Sequence, residues 1–140
     1  MKRIIAVLLT LAVLVLAGCS SGGAIDESFR DRVEPVTDNI LLSIKNRDRE
    51  ALIRDMDEKM KAAFTEEAFR EMVDMLDSKV GSYQSREFWK AEKSGQYSIA
   101  YYKAEFDKEE DYVVVKVVTS EKDGKLYVSG LFFDSPNLRE

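Results

Sequence analysis

Tyr112-Val113-Val114-Val115-Lys116-Val117-Val118-Thr119 is the run whose reading decides the fold. β-Branched residues fill both phases of its alternation, as suits a strand in the middle of a sheet. Downstream, Asp123-Gly124 between Lys122 and Lys125 is a type I′ hairpin signal, since both turn residues must take positive φ. With those two as the loop, Thr119 faces Val128, Val117 faces Gly130 and Val115 faces Phe132. Upstream, Tyr97–Phe106 alternates with period two, placing Ala100, Tyr102, Ala104 and Phe106 on one side and Ile99 and Tyr101 on the other. The acidic stretch Asp107-Lys108-Glu109-Glu110-Asp111 joins these two runs. Tyr83–Glu92 is a further strand, ended by Lys93-Ser94-Gly95. Together they predict a four-stranded antiparallel meander.

Before Gly81 the period is that of a helix. Phe29, Val33, Val36, Ile40 and Ile44 recur on one helical face. Asp26 is the expected N-cap. Pro35 interrupts this stretch without breaking its phase, so a kinked helix or two collinear ones are expected. Asn46-Arg47-Asp48 is a polar break. A short helix with Ala51, Leu52 and Met56 inward follows, then an apolar set at Met60, Ala63 and Phe64. Thr65-Glu66-Glu67 starts the next helix, with Phe69, Met72, Val73 and Leu76 on its inner face and Gly81 as its stop. Helices followed by a sheet make an α+β domain spanning residues 26–140.

Composition narrows the chemistry. The 140 residues include no His and one Cys, with 21 basic and 26 acidic side chains. Imidazole catalysis, His metal ligands, thiolate zinc sites and internal disulfides are excluded. The acidic balance argues against nucleic acid as a partner. No cofactor is implied. The loop at residues 107–111 lacks the alternating ligands and Gly of a calcium loop, so a solvated tip is expected.

The N-terminus reads as an address. Lys2 and Arg3 precede the apolar run Ile4–Leu16, which is too short for a comfortable span of roughly 20 residues. The ending Leu16-Ala17-Gly18-Cys19 resembles the lipobox of bacterial lipoproteins. The resemblance implies a signal peptide over residues 1–18, a lipid on Cys19 and export to the outer face of a membrane. The alternative is a plain signal peptide or anchor helix with an incidental Cys. Residues 19–25 would be the lipidated Cys and a short tether. Removing residues 1–18 takes away Lys2 and Arg3, leaving 19 basic against 26 acidic residues, a net charge of −7.

Three helical segments feeding a curved sheet resemble the nuclear-transport-factor-2-like superfamily of cone-shaped domains. More narrowly, Met56-Asp57-Glu58-Lys59-Met60-Lys61, the helix at 65–76, the turn Val80-Gly81-Ser82-Tyr83 and Gly130-Leu131-Phe132-Phe133 resemble domain of unknown function 3887. The resemblance covers about residues 26–135 and implies no single activity.

Tyr83, Tyr102, Phe106 and Phe132 are the candidate lining of a cone pocket, against the simpler expectation that they are strand-formers on half-buried faces. Trp89, beside Phe88, is expected to tuck in at the sheet edge; facing outward, it would suit a partner surface. Asp55, Asp57 and Glu105 are the acids whose placement decides whether a cone carboxylate exists. The sequence thus points to a binding or interaction module at the cell envelope rather than an enzyme. Its membrane contact would run through Cys19, and its sheet would pair with a second copy or an envelope protein. A small-molecule carrier is the alternative, and a cone-type isomerase or hydrolase a third reading.

Overall fold

The computed structural model describes residues 27–140. The expected cap Asp26, the signal segment, Cys19 and the tether lie outside them. Helix α1 (Glu27–Lys45) is followed by α2 (Arg49–Ile53), α3 (Glu58–Ala63) and α4 (Glu66–Lys79). Strands β1 (Tyr83–Ser94), β2 (Tyr97–Phe106), β3 (Val113–Lys122) and β4 (Lys125–Asp134) then form one antiparallel sheet in sequence order, and α5 (Pro136–Arg139) ends the chain. The architecture is α+β, helices first and then the meander.

Local chemistry sets the boundaries. Asp48, Asp57 and Thr65 each accept a hydrogen bond from a backbone N–H in the first turn of α2, α3 and α4. Pro35 lies within α1, which stays a single helix. Its buried stripe includes Thr37, Leu41 and Ser43 besides Phe29, Val33, Ile40 and Ile44, while Val36 is only half-buried. Gly81 closes α4 at φ +86, its N–H donating to the Leu76 carbonyl at 2.9 Å. A Cβ there would overlap the Asp107 carboxylate, which accepts from the Ser82 N–H. Ser135 caps α5, a turn with no apolar periodicity to announce it.

One face of the sheet is covered. Ala100, Tyr102, Ala104 and Phe106 of β2 and Val113, Val115 and Val117 of β3 join residues of α1, α2 and α4 in one buried cluster. The expected inner side of β2 therefore holds, and β3 turns Val113, Val115 and Val117 to the same side. The chain between α2 and α3 also touches the sheet, pairing Met56 with Val128 of β4 through hydrogen bonds of 2.7 and 2.9 Å.

Asp123 and Gly124 both take positive φ, as the type I′ turn requires, and Thr119 does face Val128. Beyond that pair the expected register is corrected. A bulge shifts β4, so Val118 faces Gly130, Val117 faces Leu131 and Val115 faces Phe133. Ser129 is the extra residue, its hydroxyl paired with that of Ser120 at 2.8 Å. A second bulge interrupts β1: Phe88 faces Tyr102 and Lys90 faces Tyr101, leaving Trp89 over.

Candidate functional site

The inner face brings three of the four candidate pocket residues together, in a packed core. Tyr83 and Phe106 meet at 5.8 Å between ring centroids, and Phe88 lies edge-on to Tyr102 at 5.6 Å. All but Phe88 of these rings are buried. Phe132 is not among them. It points from β4 to the opposite face and is 55% exposed, because the bulge at Ser129 turns Phe133 rather than Phe132 toward the core.

Over the buried rings lies an ionic cluster that links sheet and helix. Arg86 of β1 makes a two-pronged contact with Asp38 of α1 (2.7 and 2.9 Å) and donates to Glu34 at 3.0 Å. Its guanidinium stacks over Tyr102 at 5.2 Å. The hydrogen bonds that Arg86 donates to Asp38 raise its pKa against the opposing effect of burial. Arg86 lies 48 residues from Asp38, and no local pattern marks the pair.

Tyr102 is fully buried; its hydroxyl and that of Thr37 interact with one another, but neither makes a hydrogen bond of good geometry. Burial pushes the Tyr102 pKa up to about 12, with Thr37 and Arg86 pulling the other way. Tyr83 is also raised, first by burial and then by Asp38.

The acids left open by the sequence are accounted for. Asp57 caps α3, Asp55 takes a hydrogen bond from Asn39 at 3.5 Å, and Glu105 lies on the outer face, where Ser85 donates to it at 3.2 Å. The acidic loop has structural work: besides the Asp107 bond, Glu109 accepts the Asn137 N–H of α5 at 3.1 Å. Among the described residues no acidic group has the grouping to hold a metal ion. A polar groove of about 680 Å³ runs between the α1–α2 turn and α4. Two of its arginines are engaged, Arg47 by Asp74 and Asp77 and Arg49 by the Phe64 carbonyl.

The outer face of the sheet is different. Trp89, expected to be tucked in, is 46% exposed, and Tyr112 and Phe132 are 44% and 55% exposed. The β1 bulge sets Trp89 and Lys90 together opposite Tyr101, which explains how both come to lie outside. One register row then crosses all four strands: Lys90, Tyr101, Lys116 and Phe132. Cation and ring alternate along it. Lys90 sits 4.7 Å from the Tyr101 ring and 4.9 Å from Trp89. Lys116 sits 5.9 Å from Tyr101 and 5.3 Å from Phe132. Lys103, next along β2, bridges Trp89 at 4.9 Å and Tyr112 at 4.8 Å. Gly130 leaves room for Phe132, since a Cβ would come within 3.2 Å of that ring and of Val118.

Carboxylates share this face without joining the row. Glu92 accepts the Tyr101 hydroxyl at 2.7 Å, a bond that raises the tyrosine's pKa. Glu87 is opposite Lys103 in register. In the sequence Lys90, Lys103 and Lys116 are isolated residues of three different strands. Only the cross-strand register lines them up.

Fold and site together define an α+β domain whose sheet is covered by helices on one face and carries an aromatic–lysine lattice on the other. A family described as protein of unknown function (DUF3887) matches residues 37–126, and the chain belongs to it. A comparison with curated proteins finds no match.

Proposed function

We propose that the protein is an exported lipoprotein whose folded domain serves as a binding module at the cell envelope. In this reading residues 1–18 are the signal peptide, Cys19 carries the lipid, and residues 20–25 tether the domain close to the bilayer. The observation that carries the binding role is the uncovered sheet face with Trp89, Tyr101, Tyr112 and Phe132 on it. An exposed cluster of large rings is costly to leave in water and is typical of a contact surface. The interior offers no comparable reading, because Tyr83, Tyr102 and Phe106 fill it.

Cys19→Ser tests the anchoring half. The wild type should incorporate a labelled fatty acid and fractionate with membranes. The variant should lose the label and either keep its signal segment or appear in the soluble fraction. Equal labelling of the two would refute the assignment of Cys19.

A further inference from the structure

We infer that the outer sheet face docks onto the phospholipid bilayer that holds the anchor, with Lys90, Lys103 and Lys116 on headgroup phosphates and the rings between them at the interface. The inference rests on the anchored reading above and names the partner of that same face.

The basic groups of the two sides of the sheet are held differently. Arg86, on the covered side of the sheet, is held by the carboxylates of Glu34 and Asp38. Lys90, Lys103 and Lys116 on the outer face have no carboxylate within salt-bridge distance among the described residues. Ring faces hold them instead, each ammonium lying over two rings. A ring leaves the outward side of an ammonium open to an anion, which a carboxylate partner does not.

Trp, Tyr and Lys together are the residues of the membrane–water boundary, where amphipathic rings lie at headgroup level and long basic side chains reach phosphates. Nucleic acid would also offer phosphates and stacking faces, but an acidic chain repels it at long range.

Glu87, Glu92 and Glu105 offset the formal charge of the three lysines, so this face has no long-range pull. Contact must be short-range and needs the domain delivered to the surface. A lipid on Cys19 does that, supplying the second of the two weak signals that stable membrane attachment requires. Residues 20–25 can span roughly 20 Å when extended, more than the about 10 Å between packed layers, so either face of the domain is within range.

The test uses Trp89, the sole tryptophan of the chain. The full chain is reconstituted in phosphatidylcholine–phosphatidylglycerol vesicles. Its emission is quenched either with aqueous iodide or with lipids brominated near the top of the acyl chain. We expect iodide quenching at least about threefold weaker than for the urea-unfolded chain, together with quenching by brominated lipid. The triple variant Lys90→Gln/Lys103→Gln/Lys116→Gln should reverse both while its circular dichroism stays unchanged.

Iodide access as high as in the unfolded chain overturns the inference, even when the chain floats with the vesicles and the anchor reading stands. Shielding from iodide without quenching by brominated lipid also overturns it, because a protein then covers the face. Quenching by brominated lipid that persists in Cys19→Ser supports the face and removes only the anchor's part.

Discussion

Replacing Tyr102 by Phe should stabilise the protein, and increasingly so as pH rises. The hydroxyl is fully buried and makes no hydrogen bond of good geometry. A buried, unsatisfied polar group costs about 1–3 kcal/mol, and its removal here breaks only a poorly aligned contact with the Thr37 hydroxyl. The small void left by one oxygen offsets part of that, so a gain of about 1 kcal/mol is expected at pH 7. For a domain of this size that is roughly 3–6 °C in Tm. The alkaline arm follows from the pKa. Folding lifts the Tyr102 pKa from an ordinary value near 10 to about 12. Below pH 10 both states are protonated and nothing is lost. Between pH 10 and 12 the unfolded chain ionises while the native tyrosine cannot, so the stability that burial of the neutral form provides is lost as pH rises. Two pH units correspond to roughly 3 kcal/mol at 1.36 kcal/mol each. Tyr83 and Tyr101 are raised in both proteins and cancel in the difference. Urea unfolding of wild type and Tyr102→Phe at pH 7, 10, 11 and 12 measures the gap directly. A variant less stable at pH 7 by 1 kcal/mol or more would mean that the hydroxyl is bonded. A gap that does not widen above pH 10 would refute the burial argument.

Two further predictions concern the fold. Val117→Asp places an unpaired carboxylate at a fully buried position in the centre of the sheet; it should cost roughly 4 kcal/mol, enough to unfold a marginal domain, and an unchanged melting temperature would contradict the assigned core. Glu109 has its pKa lowered first by the Ser135 hydroxyl and then by backbone N–H groups, and Asp134 has its own lowered by Arg139. Depressed carboxylates stabilise above their unfolded values and lose that contribution as pH falls through the folded ones. Hydrogen exchange corrected for intrinsic rates should therefore show the Asn137 and Leu138 amides opening below about pH 4 while the β2 and β3 amides stay protected.

What could be read from the chain was whatever repeats locally. The alternation in Tyr97–Phe106 marked that strand and its inner side, and the β-branched run 112–119 marked a central strand beside it. Asp123-Gly124 specified its turn through backbone sterics alone. The bulges were illegible, since an extra residue at Trp89 or Ser129 has meaning only against a partner strand. One consequence was Phe132, assigned to the interior and found outside. The aromatic–lysine row was hidden for a related reason: its members come from four strands, and each alone is an ordinary polar-face residue. The Arg86–Asp38 contact, 48 residues apart, was out of reach of any periodicity.

The central claim is that binding happens on the uncovered sheet face and not on the helices. Hydroxyl-radical footprinting of the full chain in membranes tests it, because both sides carry comparably exposed probes. Trp89, Tyr112 and Phe132 on the sheet are 46%, 44% and 55% exposed, and Leu42 and Met75 on the helices are 49% and 44% exposed. With rates normalised to each residue's intrinsic reactivity, the account predicts that the three sheet residues are several-fold protected while Leu42 and Met75 react freely. Protection at Leu42 and Met75 with Trp89 and Phe132 fully reactive would contradict it.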